Sequence, residues 1–200
     1  MSSEINPPAL MGTYARFPVT MREGRGSLLF GSDGRRYIDL LAGLSVVCLG
    51  HCPERVSEKL KVQLDRLWHT SNLYGIAQQQ ELGERLVGLS CMDQAFFCNS
   101  GTEAVEAALK LARIASLNIH GGARPVFVAM NHSFHGRTLG SLSVTGSETY
   151  RGPFEPLGEV RFVDFGDLSQ LEKALDGRVG GVILEPLQIE GGLNAPPEGY

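Results

Sequence analysis

The sequence predicts an α/β fold in which helices cover a largely parallel sheet. Short apolar runs at 125–130, 160–163 and 179–184 have the length and composition of buried strands. A helix precedes the first run, and a short helix is predicted between the second and the third. This β/α alternation is typical of parallel sheets, because parallel neighbours need a long crossover connection. Since ligands of such sheets bind at the carboxyl ends of the strands, we expect the functional site at that edge.

The first part of the chain predicts a hairpin followed by two helices. Residues 27–30 and 35–40 flank the turn sequence Gly-Ser-Asp-Gly at 31–34, which is a strong hairpin signal. A helix is expected over 53–68, because a proline stands at its first position and apolar residues recur on one face. A second helix is predicted over 78–89.

The clearest functional signal follows the apolar run 95–98, which we interpret as a strand. Small residues at 99–102 then lead into a helical pattern. Ser100, Gly101 and Thr102 would leave backbone N–H groups free at the positive end of the helix dipole, with two hydroxyls beside them, which suits a phosphate. The alternative is a turn capped by Ser or Thr that binds nothing, and this segment alone leaves both open.

Two further helical features come from charge and capping patterns. Glu106 and Lys110 stand four residues apart on the face opposite the apolar stripe of the helix that begins near Gly101, which predicts a surface ion pair. The sequence Asp-Leu-Ser-Gln at 167–170 predicts a capping box, and the short helix that it begins is expected to end at Gly177.

A polar motif at 131–138 follows one of the predicted strands. Phe134 can cover one face of a planar ring, and the Arg137 guanidinium can bind a carboxylate through two parallel hydrogen bonds. The alternative is a surface loop with a packed Phe and a solvated Arg. His132 and His135 stand three residues apart with no further ligand close by in sequence, so we expect no metal site.

A second polar motif, at 185–192, follows the last predicted strand. Glu185 and Glu190 place two carboxylates at and just beyond the strand end, where solvated surface acids are the alternative. The motifs at 99–102, 131–138 and 185–192 all fall at carboxyl ends of predicted strands. Their convergence at one sheet edge favours a real site over three unrelated loops.

Composition and charge argue against several classes of protein. Hydrophobic residues make up 42% and charged residues 20% of the chain, as in globular proteins. A formal net charge of −4 gives no electrostatic reason to expect a nucleic-acid or membrane partner. Neither a membrane span nor a signal peptide is evident, so we expect a cytoplasmic location. Cys48, Cys52, Cys91 and Cys98 form no CxxC pair, and buried thiols are expected rather than a disulfide or zinc site.

Taken together, these segments resemble class III pyridoxal-phosphate-dependent aminotransferases of fold type I, most closely the acetylornithine aminotransferase group. The resemblance extends over nearly the whole chain, and it is carried by Thr13-Tyr14-Ala15-Arg16-Phe17-Pro18, residues 31–40, His69-Thr70-Ser71-Asn72-Leu73-Tyr74, Phe97-Cys98-Asn99-Ser100-Gly101-Thr102-Glu103-Ala104, Phe134-His135-Gly136-Arg137-Thr138 and Glu185-Pro186-Leu187-Gln188. It implies that residues 1–65 contribute to the small domain. Residues 66–200 would form the first part of the large cofactor-binding domain, with its mostly parallel sheet.

The resemblance implies roles at the cofactor, pyridoxal 5'-phosphate. Ser100, Gly101 and Thr102 would hold its phosphate. Phe134 would stack on its pyridine ring, and Glu185 would support the site from beside the ring.

The resemblance also implies how substrates and a second subunit are bound. Arg137 would bind the α-carboxylate of the amino acid, and Tyr14 would line the substrate pocket. Glu190 matches the acid that pairs with a distal arginine when the second substrate enters ornithine-type members. The segment 72–74 would lie at the interface of a homodimer, near the partner's active site.

In this family the Schiff-base lysine and the aspartate that pairs with the pyridine nitrogen lie beyond the stretch matched here. None of the four lysines, Lys59, Lys61, Lys110 and Lys173, matches the catalytic position. We therefore expect the chain to be the N-terminal portion of an enzyme, to contain no catalytic residue and to be inactive alone.

The implied reaction of the full-length protein moves an amino group from N-acetylornithine, or a related ω-amino compound, to 2-oxoglutarate, in arginine biosynthesis. Ornithine, succinylornithine and 4-aminobutyrate aminotransferases are alternatives within the class. A non-catalytic protein that keeps the phosphate cradle or the dimerisation surface is an alternative of another kind.

Overall fold

The computed structural model describes residues 9–200. Internal contacts divide the chain into two compact units, one ending at Ile76 and one extending from Ala77 to Tyr200. The division into small-domain and large-domain segments at residue 65 stays a prediction. No helix within residues 9–200 has the length and apolar character needed to cross a bilayer.

The first unit contains a three-stranded antiparallel sheet formed by β1 (Met21–Arg25), β2 (Leu28–Gly31) and β3 (Arg36–Ile38), in that order. The predicted hairpin between β2 and β3 is confirmed. Its turn is held by Asp33, whose carboxylate accepts hydrogen bonds from the Arg35 N–H at 3.0 Å and from the Tyr37 hydroxyl at 2.6 Å. β1 was not predicted, because its mostly charged, exposed sequence shows no strand pattern.

The rest of the first unit contains a short turn, α1 (Ala42–Ser45), and one regular helix, α2 (Glu54–Leu64). α2 begins after Pro53, as predicted, but it ends four residues before the predicted Trp68. The chain leaves helical geometry at Asp65, and the Trp68 indole N–H turns back to donate to the Leu64 carbonyl at 2.6 Å.

The second unit begins with two helices, α3 (Ala77–Gly88) and α4 (Gly101–His120), both close to their predicted positions. Between them, the predicted strand at 95–98 is wrong. Those residues have no strand structure, and Phe96 is 71% exposed. A strand needs a neighbour for its backbone N–H and C=O groups, and no described strand pairs with this run.

The core of the second unit is a parallel sheet formed by β4 (Val126–Met130), β5 (Val160–Val163) and β6 (Val179–Ile183). The strand order is β5-β4-β6, and both pairings are parallel, so the predicted α/β class and parallel sheet are confirmed. β4 is buried along its whole length. Its alternating side chains enter two apolar clusters, one containing Phe127 and Ala129 and the other Val128 and Met130.

Short helices connect the three strands. α5 (Leu139–Ser143), α6 (Glu148–Arg151) and a 3-10 turn (Gly152–Phe154) lie between β4 and β5, and α7 (Leu168–Ala174) lies between β5 and β6. The predicted capping box of α7 is confirmed only in its first half. The Asp167 carboxylate accepts from the Gln170 N–H at 2.9 Å, but the Gln170 side-chain oxygen accepts from the Asp164 N–H at 3.0 Å and not from that of Asp167. The helix ends three residues before the predicted Gly177.

The expectation of buried thiols is wrong. All four cysteines, Cys48, Cys52, Cys91 and Cys98, are free and exposed. Cys98 was expected to be buried as part of the run 95–98, and it is exposed because that run does not enter the sheet. Its thiol donates instead to the Ser100 carbonyl at 3.3 Å.

Candidate cofactor and substrate site

The N-terminus of α4 presents an open group of hydrogen-bond donors. Ser100 is the N-cap in extended geometry, and its hydroxyl oxygen accepts from the Glu103 N–H at 3.3 Å. Within residues 9–200, the N–H groups of Gly101 and Thr102 meet no acceptor. A Cβ added at Gly101 would have no atom within 4 Å. Free donors, open space and the positive end of a 20-residue helix fit a phosphate.

The capping role of Ser100 and a role in phosphate binding are compatible. The Ser100 oxygen accepts the capping bond, while the hydroxyl hydrogen remains able to donate to a ligand. The Glu103 carboxylate accepts from the Asn99 backbone N–H at 2.6 Å, which fixes the residue before the cap. The helix start is therefore rigid without its donors being consumed.

A polar network joins this helix start to α5. The Thr102 hydroxyl oxygen lies 2.9 Å from that of Thr138 and 2.5 Å from that of Ser141. Glu106 accepts from the Thr138 hydroxyl and from the Ser141 N–H, the latter at 3.0 Å. The predicted surface ion pair of Glu106 with Lys110 is therefore wrong, because neighbouring donors on α5, which lie far away in sequence, bind the carboxylate instead.

The electrostatics of Glu106 agree with this contact. The Thr138 hydroxyl bond lowers the pKa of the carboxyl below its usual value, the Ser141 N–H adds to the effect, and partial burial opposes it. The charge of Lys110 contributes least. Glu106 is thus held ionised by the segment that follows β4.

Gly136 allows the close approach between the two segments. Its φ is +132°, and a Cβ there would lie 2.4 Å from the Thr102 hydroxyl oxygen and 2.5 Å from that of Ser141. Only glycine fits this combination of backbone geometry and space. This role of Gly136 was not predicted, although its position between two polar side chains of the 131–138 motif is a signal that the sequence contains.

The loops after β4 and β6 lie against each other. The Phe134 N–H donates to a Glu185 carboxylate oxygen at 3.4 Å. Gln188 is 1% exposed, and its side-chain amide donates to the Asn131 carbonyl at 2.8 Å. The Gln188 side-chain oxygen accepts from the Asn194 amide at 3.1 Å. This structural role of Gln188 was not predicted, because the sequence gives no sign that a polar residue after a strand end is buried.

Glu185 lies in a partly buried environment that disfavours its charge. Burial raises the pKa of this carboxyl, the Phe134 N–H opposes the shift, and the negative charge of Glu190 adds to it.

Tyr150, which the sequence analysis did not identify, brings three predicted site residues together. The Arg137 guanidinium carbon lies 3.5 Å from the centroid of the Tyr150 ring and 5.6 Å from that of Phe134. The two aromatic rings meet edge to face, with centroids 6.3 Å apart. The Tyr150 hydroxyl donates to a Glu190 carboxylate oxygen at 3.0 Å. Tyr150 lies on α6, a segment in which the sequence shows no motif.

His135 is buried, and its imidazole makes no hydrogen bond through Nε2 among the described residues. The backbone N–H of His135 donates to the Thr145 hydroxyl at 3.0 Å. Burial lowers the pKa of the imidazole, which favours its neutral form. Within residues 9–200, no group of three or more potential ligand side chains could hold a metal ion.

The remaining predicted site residues lie in the first unit. Tyr14 is 72% exposed, and Leu73 and Tyr74 of the 72–74 segment are also exposed. Their roles in the substrate pocket and at a dimer interface stay predictions.

Comparison with known proteins decides the family. The profile of the family described as "Aminotransferase class-III" matches residues 11–200. This chain belongs to the class III aminotransferases. The predicted family and fold type I architecture are confirmed, and the cofactor of the class is pyridoxal phosphate, as predicted.

Individual relatives agree with this assignment. The acetylornithine aminotransferase of Methanosarcina acetivorans is 44% identical over 193 residues, which cover 96% of this chain and 47% of the relative. The acetylornithine aminotransferase of Methanopyrus kandleri is 46% identical over 193 residues, which cover 95% of this chain and 48% of the relative. The chain therefore spans about half the length of the curated relatives it matches.

Solved structures show the same relationship. Ornithine aminotransferase from Toxoplasma gondii superposes with a TM-score of 0.89 at 31% identity, over 96% of this chain and 46% of that one. N-acetylornithine aminotransferase from Stenotrophomonas maltophilia superposes with a TM-score of 0.75 at 35% identity, over 91% of this chain and 45% of that one.

Proposed function

We propose that the full-length protein is an aminotransferase that moves an amino group from N-acetylornithine, or a related ω-amino compound, to 2-oxoglutarate, in arginine biosynthesis. The names of the curated relatives support this donor. The observation that carries the proposal is the convergence of the α4 N-terminus with the loops 131–138 and 185–192. Hydrogen bonds join these three segments directly.

The cofactor would be held by the residues at this convergence. Gly101 and Thr102 would donate their free N–H groups to the phosphate, and the Ser100 hydroxyl would add a third donor. Phe134, with its ring partly exposed, would cover one face of the pyridine, and Glu185 would stand beside it. Pyridoxal phosphate, when bound, supplies an electron-withdrawing ring that stabilises negative charge at the substrate carbon.

The amino-acid carboxylate would be bound by Arg137. One face of its guanidinium is covered by Tyr150, and no acceptor within residues 9–200 takes its N–H groups. Its planar edge is thus free to form two parallel hydrogen bonds with a carboxylate. Glu190 would act at the other end of the substrate, and Tyr14 would line the pocket.

The covalent step requires a lysine that this stretch does not supply. Lys110 lies eight residues after Thr102, about 12 Å along α4 at roughly 1.5 Å per residue. Lys59 and Lys61 lie on α2, and Lys173 lies on α7. We propose that residues 1–200 alone are inactive and that the whole protein works as a homodimer in the cytoplasm. The exposed Leu73 and Tyr74 are compatible with a subunit interface.

Ornithine is the second candidate donor. The structural similarity to the Toxoplasma gondii ornithine aminotransferase, at a TM-score of 0.89, exceeds that to the N-acetylornithine enzyme, at 0.75. Measuring kcat/KM of the full-length protein for N-acetylornithine and for ornithine separates the two. A preference for ornithine would contradict the acetylornithine assignment but not the class of reaction.

The Arg137→Lys substitution tests the site. Lysine keeps the charge but loses the planar fork, so we expect kcat/KM for the amino donor to fall by at least about tenfold, the lower range for a charge-assisted hydrogen bond. Cofactor affinity should not change. Arg85→Lys, at an exposed ion pair on α3, is the matched control and should leave both values unchanged. If the Arg137→Lys variant uses the donor as well as wild type does, Arg137 lies outside the substrate site.

A further inference from the structure

Tyr150 lies between two oppositely charged side chains of the proposed substrate site. Its ring face carries the Arg137 guanidinium at 3.5 Å, and its hydroxyl binds the Glu190 carboxylate at 3.0 Å. The edge-to-face contact with Phe134 fixes the ring from a third direction. One half-buried side chain therefore contacts both charged groups.

The two charges do not bind each other. Within residues 9–200 there is no ion pair between Arg137 and Glu190 at 4.0 Å or less, although both side chains contact the same tyrosine. Oppositely charged groups on one aromatic ring attract each other, and a direct pair would occupy the edge of the guanidinium that a substrate carboxylate needs. Tyr150 covers only the face of the guanidinium and leaves this edge free.

We propose that Tyr150 is a positioning residue that keeps Arg137 available for the substrate carboxylate by holding Glu190 through its hydroxyl group. The inference rests on the proposed function, in which Arg137 binds that carboxylate. Removing the hydroxyl would release Glu190, which would then compete with the substrate for the guanidinium. The stacking of Arg137 on the ring would persist, because it depends on the ring face and not on the oxygen.

The experiment separates the hydroxyl from the ring. The full-length holoenzyme is assayed with pentanoate, a monocarboxylate without an amino group, as a competitive inhibitor of the amino donor. Tyr150→Phe should raise the inhibition constant about two- to fivefold, the range expected when an exposed ion pair competes with the ligand. Tyr150→Phe combined with Glu190→Gln should restore the wild-type constant, since the competing charge is gone.

The double variant distinguishes positioning from packing. A tyrosine that only filled space would give a Tyr150→Phe effect that Glu190→Gln does not reverse, and that result would overturn the inference. An unchanged constant in Tyr150→Phe would overturn it as well. Thermal unfolding of each variant checks that it is folded, which we expect because the substitution removes one oxygen atom and keeps the ring.

A further variant distinguishes failure of the inference from failure of the proposed function. Arg137→Gln should weaken pentanoate binding by more than the Tyr150→Phe change does. If Arg137→Gln binds pentanoate as wild type does, Arg137 is not the carboxylate site, and its role in the proposed function fails together with the role of Tyr150. If Arg137→Gln loses pentanoate while Tyr150→Phe does not, only the role of Tyr150 is refuted.

Discussion

The Gly136→Ala substitution should damage both the fold and cofactor binding, because this glycine lies where the segment after β4 meets the phosphate-binding turn. The added Cβ would lie 2.4 Å from the Thr102 hydroxyl oxygen and 2.5 Å from that of Ser141. Neither neighbour is the end of a long flexible side chain. Thr102 would have to move, and its N–H is one of the two free donors at the start of α4.

The size of the effect follows from two costs. An alanine at a φ of +132° is strained, and such backbone strain costs about 1–3 kcal/mol. Overpacking at a tight contact costs about 1–3 kcal/mol more. The sum of about 2–6 kcal/mol is a large part of the roughly 5–15 kcal/mol by which proteins are ordinarily stable. We therefore expect the apo-protein to unfold several degrees lower and to bind pyridoxal phosphate more weakly.

The assay compares the full-length Gly136→Ala and Gly177→Ala variants. A Cβ at Gly177 would meet nothing within 4 Å, so this control should stay within about 0.5 kcal/mol of wild type. Thermal unfolding is measured without cofactor, because a ligand that binds the folded state would mask part of the loss. Equal melting temperatures and equal cofactor affinities in the two variants would show that the close approach at Gly136 contributes neither to stability nor to cofactor binding.

Two further substitutions test the carboxylates of the site by their effect on stability. Glu106→Ala removes the acceptor for the Thr138 hydroxyl and should cost about 1–2 kcal/mol in urea unfolding at neutral pH. The pKa of the Glu106 carboxyl is lowered in the folded state, so the loss of unfolding free energy in Glu106→Ala should become smaller as pH falls through that pKa. A loss that does not depend on pH would contradict the hydrogen bond between Glu106 and Thr138. Glu185→Gln should behave oppositely, because burial raises that pKa: the variant should gain stability over wild type as pH rises through the folded pKa. If the difference in unfolding free energy between Glu185→Gln and wild type is the same at acid and neutral pH, burial does not disfavour the charge of Glu185.

The parts of the fold that local sequence patterns determine were predictable. The three strands of the parallel sheet are short apolar runs bounded by polar residues, and the cap of α7 depends on residues three apart in sequence. The run 95–98 has an equally apolar pattern but no described partner strand. A strand forms only where a neighbouring strand pairs with its backbone N–H and C=O groups. A single apolar run carries no information about whether such a neighbour is present.

The site was predictable to the extent that its residues belong to motifs. The α4 N-terminus and the two loops were identified from residue type and from their positions after apolar runs. Tyr150, Gly136 and Gln188 were missed, because each matters through contacts with residues distant in the chain. Tyr150 meets Glu190 forty residues later, and Gln188 meets Asn131 fifty-seven residues earlier.

The most direct test of the account is whether the start of α4 binds the cofactor through its phosphate. Pyridoxal phosphate and pyridoxal, which lacks the phosphate, are titrated into full-length wild type, Gly101→Asp and the control Gly177→Asp. The aspartate at position 101 adds bulk and a like charge, so the affinity for pyridoxal phosphate should fall more than about tenfold while that for pyridoxal hardly changes. The control should bind both as wild type does. An unchanged affinity of Gly101→Asp for pyridoxal phosphate, or an equal loss for both ligands, would contradict the assignment of the phosphate to this helix.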